Sequence, residues 1–328
     1  MTDAIAAPAH RDPHAQIEEI FIEHGRFKAA YRRFDECRAT FGRAAEPACM
    51  LVLGPAGVGK STLMKRYLRN HPAEDTAEGL IMPVLTSTIP MPATMKNMAE
   101  SLLDRLGDRL VDRGTLAQKT RRLRRLIHEC KVELIVLDEF QHFIERDRGL
   151  VIQTVADWLK NLISETGVPV VLIGMPDARK VLLANEQLRR RFSHQLHLEK
   201  FSWSDERFRE EFRRILNAVD GALPFRTSSG LADMADRFHA ASSGLIAAVM
   251  KLIRAAAHRA VDENVDHLER RHLARAYDEM IMPEIQQPNP FLDGWGGPTL
   301  VEPAPFDATS PNRHPPRRKE RLGPNLSA

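Results

Sequence analysis

Apolar positions along this chain follow two regimes, and the change between them marks its organisation. Over roughly the first 200 residues, short unbroken apolar runs alternate with amphipathic stretches. "CMLVLG" (49–54), "GLIMPVLT" (79–86), "VELIVLDEF" (132–140) and "VPVVLIG" (168–174) read as buried strands, and "HQLHLEKF" (194–201) as a fifth. Between them, "MKNMAESLLDRLG", "TLAQKTRRLRRLIHECK" (115–131) and "VIQTVADWLKNLISETG" (151–167) carry apolar residues at helical spacing. Strands apolar along their whole length, alternating with helices, predict an α/β fold: a mostly parallel five-stranded sheet covered on both faces.

From Ser204 to about Met282 the strand signals stop. "DERFREEFRRILNAV", "SGLADMADRFHAA", "SGLIAAVMKLIRAAAHRAV" and "ERRHLARAYDEM" predict a domain of four helices. Ahead of the first strand, residues 1 to about 14 are rich in Ala, Pro, Asp and His and read as loose. Gln16 to Phe41 then predicts one or two helices, with Ile20, Phe21, Phe27, Tyr31 and Phe34 on the apolar side. From Pro283 onward the chain is rich in Pro, Gly and Asn and ends in "RHPPRRKERLGP", which predicts disorder. The expected division is therefore 1–45, a loose segment with helices; 46–202, the α/β core; 203–282, a helical lid; and 283–328, a Pro-rich basic tail. No internal repeat is visible.

Composition narrows the partners only a little. A net charge of +3 is too mild to indicate nucleic-acid binding, so any basic footprint must be local. The three cysteines, Cys37, Cys49 and Cys130, include no CxxC pair and read as reduced thiols, not a disulfide framework or a zinc site. The N-terminus has no signal-peptide pattern and no apolar run is long enough for a membrane span, so a cytoplasmic protein without membrane contact is expected.

The chemistry starts at "LVLGPAGVGKSTLMKRY", which fits G-x-x-x-x-G-K-[ST] between a strand and a helix. The loop of Gly54, Pro55, Ala56, Gly57, Val58 and Gly59 would wrap phosphates with the backbone N–H groups of its non-proline residues, with Thr62 at the helix start. Lys60 would reach the β/γ oxygens, and the Ser61 hydroxyl would serve Mg²⁺. ATP and Mg²⁺ are the expected ligands. "LIVLDEF" supplies the second element: Asp138, at the carboxyl end of a strand, as an acid of the Mg²⁺ shell, and Glu139 placed to polarise a water. Such an Asp-Glu pair fits hydrolysis better than transfer to a small molecule. The 78 positions from Lys60 to Asp138 leave room for an intervening strand and two helices, as in the additional-strand P-loop class. The third element is "LRRRFSHQLHL". Arg190 or Arg191, in the Arg189–Arg191 cluster, is the expected arginine finger toward a neighbouring subunit; a solvated basic helix end is the competing reading.

In this order the three elements resemble an AAA+ ATPase. "DEFQH", "VPVVLIGMPDA" and "QLRRRFSHQLHLEKF" are similar to the TniB/TnsC group of ATP-dependent regulators of bacterial DNA transposition, from roughly Ile17 to Met282. The resemblance implies ATP-bound homo-oligomers, rings or helical filaments, on duplex DNA. It also implies target-site selection, a DDE transposase with or without a target-selection adaptor as partners, and slow ATP hydrolysis that resets the choice. Two departures stand out. Where many AAA+ proteins place a polar sensor after the fourth strand, this chain has Gly174-Met175-Pro176, and Ala247 or a neighbour stands where the lid helix would carry a sensor arginine.

For DNA, the candidate is "QKTRRLRRLIHECK", with Lys119, Arg121, Arg122, Arg124 and Arg125 expected on the outer arc of a docked helix as sequence-independent phosphate contacts. A solvated face paired to neighbouring acids competes with that reading. The tail cations Arg313, Arg317, Arg318, Lys319 and Arg321 offer either a further nonspecific contact or solubility alone. His142 reads as a loop residue supporting the site, since no metal-ligand spacing surrounds it. Two other functions share parts of this pattern: an AAA+ switch acting on protein partners without DNA, and a small-molecule P-loop kinase, which the Asp-Glu pair and the large helical domain disfavour.

Overall fold

The computed structural model describes residues 12–144, 149–280 and 288–297. The strands of the main sheet are β1 (Met50–Leu53), β4 (Val84–Thr88), β5 (Leu134–Asp138), β6 (Val170–Gly174) and β7 (His194–His197); β2 (Glu74–Thr76) and β3 (Gly79–Ile81) form a separate antiparallel hairpin. All pairs in the main sheet are parallel and its order is β4-β5-β6-β1-β7, so β6 separates the strand of the glycine loop from the strand that ends in Asp138. The carboxyl ends of β1, β5 and β6 lie side by side, where an open α/β sheet places its ligands.

Side-chain alternation divides each strand between two cores. Met50, Val52, Leu134 and Val136 face a cluster completed by Phe27 and Phe34 of α2 (Gly25–Arg38) and by Leu63 and Tyr67 of α3 (Lys60–Arg69). Leu51, Leu53, Ile135 and Leu137 face the other cluster, with Leu102 of α4 (Met95–Arg105), Leu123 of α5 (Leu116–Glu129) and Leu159 of α6 (Gly149–Thr166). This face also holds two short helices, α7 (Arg179–Ala184) and α8 (Glu186–Arg191), through Val181 and Leu188. The run expected as one strand, 79–86, is broken: Met82 and Pro83 divert the chain, since proline has no N–H for a ladder, and only Val84–Thr88 joins the sheet.

The lid holds the four expected helices, α9 (Glu206–Asp220), α10 (Ala235–Ser242), α11 (Ile246–Asp262) and α12 (Arg270–Met280), around a third cluster. Two boundaries differ from expectation. The N-terminal region is not a module of its own: α1 (Pro13–Glu19) gives Ile17 to the lid cluster, while α2 packs on the sheet. Residues 288–297, expected within a disordered tail, are packed. Phe291 is buried against Phe238 and Tyr277, and Asn289 donates to Ala274 O at 2.9 Å and Asp278 Oδ1 at 2.8 Å. One aromatic side chain that fills the lid outweighs the Pro/Gly-rich composition around it. The tail cations 313–321 lie outside the described residues. All three thiols are buried, and burial pushes those of Cys37 and Cys49 up to about 12. Among the described residues, no single helix is long and apolar enough to cross a membrane.

Candidate nucleotide site

β1 leads directly into the glycine loop, and α3 starts at Lys60 with Gly59 as its N-cap. Gly59 has φ +97°, and a Cβ there would lie 2.8 Å from the Phe27 ring, so only glycine fits. Lys60 is 6% exposed, and its ammonium donates to Gly54 O and Pro55 O, each at 2.9 Å, which folds the side chain over the loop. Burial lowers the Lys60 pKa against the opposing pull of the Glu139 and Asp138 charges, which places both acids within electrostatic reach of the ammonium.

Asp138, the last residue of β5, is 1% exposed. Burial raises its pKa although it accepts hydrogen bonds from the Ser61 hydroxyl and, at 2.8 Å, from Glu139 N–H. Lys60, Ser61, Asp138 and Glu139 therefore converge on one spot at the sheet's carboxyl edge. Glu139 leaves the strand with φ +58°, a left-handed backbone unusual for a non-glycine residue, which turns its side chain out of the β5 alternation. Its Oε2 accepts from the Gln141 amide, and His142 Nε2 lies 4.0 Å away. The donor set fits Mg²⁺ with a nucleotide: a buried carboxylate bridged to a hydroxyl, beside a buried ammonium and a loop at a helix N-terminus.

Next to the loop lies a cavity of about 170 Å³ that the sequence did not disclose. Its walls include Phe21, His24, Phe27, Gly59 and Thr62 on the core side and Ile246, Ala247 and Met250 from α11. Burial lowers the His24 pKa despite Glu211 at 3.3 Å. Arg66 lies over the Phe21 ring, and Arg254 of α11 donates to Glu18 O and Ile20 O, fixing the segment that enters the cavity. The lid touches the loop directly, with Ala247 N–H donating to Gly57 O at 3.1 Å. The "GLIAAVM" stretch was the available signal for this side of the site. The 20–24 segment gave none, because nothing in a linear reading brings it to the loop.

A family model for the bacterial TniB protein matches residues 14–203, more than half of the chain. The chain belongs to the TniB family. No curated protein matches it. Among solved structures, the Aeropyrum pernix ORC1 protein, determined in complex with DNA, superposes with TM-score 0.59 at 17% identity, over 82% of this chain and 69% of that one. The Aeropyrum pernix ORC2 protein, determined as ADPNP–ADP complexes, gives 0.60 at 16% identity, over 80% and 70%. CDC6P from Pyrobaculum aerophilum gives 0.61 at 12% identity, over 82% and 71%. At these identities the likeness is one of fold, and that fold is the AAA+ one: a parallel five-stranded sheet followed by a helical lid.

The remaining candidates separate. Arg190 is exposed and pairs with Glu186, one turn earlier, at 2.8 Å. Arg191 is held inside this TniB-family chain, donating to Ser164 Oγ at 3.0 Å and Lys160 O and lying 3.5 Å from Glu46, so its guanidinium is not presented outward as a finger requires. Arg189 is exposed at the same helix end. In α5 the expected outer arc of five cations does not hold. Lys119 is fully buried, 2.9 Å from Glu100 and donating to Val111 O; Arg122 is 2.9 Å from Asp108 and donates to Leu110 O and Arg113 O; and Arg124 pairs with Glu165. Arg121 and Arg125 alone of the five are exposed, and Arg125 lies 3.5 Å from Glu129. Apolar neighbours docked the helix as expected, but acids of adjoining elements take up most of its charge.

Proposed function

We propose that this TniB-family chain is an ATP-dependent regulator of DNA transposition. It would bind ATP with Mg²⁺, assemble as a ring or filament on duplex DNA in the cytoplasm, mark a target site for a DDE transposase, with or without an adaptor, and release the site on slow hydrolysis. The observation that carries the reading is the convergence of Lys60, Ser61, Asp138 and Glu139 in a chain of this family. The loop of 54–59 and Thr62 cradle the phosphates, Lys60 neutralises the β/γ oxygens, and the apolar cavity between Phe21 and Met250 receives the base. Ser61 and Asp138 would hold Mg²⁺, which would offset the charge developing on the phosphates. Glu139 accepts a proton from the attacking water. Of the finger candidates, Arg190 and Arg189 face outward and suit a neighbouring subunit. The structure solved with DNA and the one solved with ADPNP and ADP support nucleotide and DNA as ligands by analogy of fold.

The test is assembly on duplex DNA with ATP, ADP or a slowly hydrolysed analogue at several salt concentrations, beside Glu139→Gln. ATP-specific assemblies that weaken steeply with salt and persist in Glu139→Gln are expected. DNA binding indifferent to nucleotide, or none at low salt, refutes the reading. The second reading, a switch acting on protein partners without DNA, would then lead; the internal pairing of the α5 cations is what favours it.

A further inference from the structure

The polar side chain missing after β6 has a replacement that comes from the neighbouring strand. Gln141, in the 3₁₀ turn after β5, is 4% exposed and uses both ends of its amide. Its Nε2 donates to the Glu139 carboxylate, and its Oε1 accepts from Met175 N–H at 3.0 Å, immediately beyond β6. The room for it is made by Gly174: a Cβ there would lie 2.9 Å from Gln141 Oε1. So the residue that leaves the sensor position without a side chain is also the one that lets Gln141 occupy it.

We propose that Gln141 is the positioning residue for the hydrolytic glutamate, holding the Glu139 carboxylate toward the phosphates and tying it to the end of β6. This deepens the proposed ATPase and rests on that reading. Glu139 sits on a left-handed backbone with its side chain partly exposed, and the Gln141 amide is the one hydrogen bond that fixes its carboxylate among the described residues; His142, at 4.0 Å, is too far to do so. A carboxylate free to change rotamer spends less time in line with a water, a loss that appears in turnover and not in nucleotide affinity. The other end of the amide matters as well. Met175 opens the segment that runs through α7 to the arginines of α8, so a shift of that segment would move Gln141, and through it Glu139.

Two variants separate positioning from packing. Gln141→Met fills similar volume without either hydrogen bond. Gln141→Glu keeps the acceptor for Met175 N–H but replaces the donor to Glu139 with a like charge. In steady-state ATPase assays of the full chain with duplex DNA, both should lower kcat by about ten- to a hundredfold. Dissociation constants for a fluorescent ATP analogue should stay within about twofold, since no nucleotide contact is lost. Amide exchange at Met175 should quicken in Gln141→Met and stay slow in Gln141→Glu, a readout independent of turnover. Retained kcat in both variants, with Glu139→Gln inactive in the same assay, overturns the inference and leaves the ATPase standing. Weakened nucleotide binding at unchanged kcat also overturns it, by making Gln141 a binding residue. A parent without turnover, or an active Glu139→Gln, refutes the ATPase reading and the inference with it.

Discussion

Lys119 decides between two uses of the basic helix, and Lys119→Met is the perturbation that reads it. The side chain is wholly buried; its ammonium lies 2.9 Å from Glu100 and donates to Val111 O. Methionine keeps most of the packing and deletes the charge. What remains is a carboxylate only 23% exposed and a carbonyl without its donor, while the other cation on Glu100, Lys96, is 3.9 Å away and largely in solvent. Breaking a buried pair from one side costs about 3–5 kcal/mol. The residual solvation of Glu100 argues for the lower end, about 3 kcal/mol. For a chain of this size, that lowers the melting midpoint by about 4 °C. Lys119→Met combined with Glu100→Leu should recover more than half of the loss, because the stranded carboxylate goes too. On DNA, Lys119→Met should leave the slope of log affinity against log salt unchanged, whereas losing a phosphate contact flattens it by about 0.9. A flattened slope with an unchanged midpoint would refute the structural assignment of Lys119 and restore it to the DNA-contacting set.

Four further outcomes are expected. Gly59→Ala forces a left-handed residue against the Phe27 ring and should cost about 1–3 kcal/mol with a parallel loss of ATP affinity, read by melting and by titration of a fluorescent analogue. Phe291→Ala should destabilise the lid by about 3 kcal/mol, seen as faster amide exchange in α10 and α12; unchanged exchange would show that 288–297 is not part of the lid. Arg191→Ala should lower the melting midpoint and Arg190→Ala should not, whereas DNA-stimulated ATPase should fall by about a thousandfold in Arg190→Ala if it is the finger. Burial lowers the pKa of His24 and of His239 below the ordinary 6.5, so the unfolded chain takes up protons first as pH falls. Their stability contribution is full above about 6.5 and is lost as pH drops from there toward the folded values. The melting midpoint should decline over that window, and His239→Gln should reduce the decline.

How far the sequence could be read follows from which interactions are local. β1, β5 and β6 were legible because strands buried on both faces are continuous apolar runs, and α3 because the glycine loop fixes its start. The pairing of Lys119 was half legible. With Leu116, Leu123 and Ile127 it lies at i, i+3, i+7 and i+11, on the buried arc and not opposite it. Its partner Glu100 belongs to α4, and no spacing within α5 reveals that. Arg191 is the same case, with Glu46 and Ser164 supplied by distant segments. Gln141 stood in plain view in "DEFQH", yet its role depends on Gly174 clearing space some thirty positions later. Packing of Phe291 was hidden because composition averages over a segment while burial is decided by one side chain.

The departures noted in the sequence also acquire a physical sense. Without a lid arginine in the place of Ala247, the lid still meets the loop, through the backbone of Ala247 on Gly57 and through the α11 side chains that wall the cavity. The second tie is at the end of the core, where Phe201 N–H donates to Gly244 O and His239 Nε2 bonds Phe201 O at 2.8 Å. Both ties are neutral hydrogen bonds and apolar contacts, so on the proposed reading they would respond to a filled cavity more than to how many phosphates follow the base. On this arrangement lid position should depend on nucleotide binding, while discrimination of ATP from ADP falls to Lys60 and Asp138. Ala247→Arg tests that division: it adds a cation beside the loop and should raise ATP affinity over ADP by about tenfold in equilibrium titrations, the effect of about one well-placed charge. An unchanged ratio would show that the α11 N-terminus does not face the phosphates.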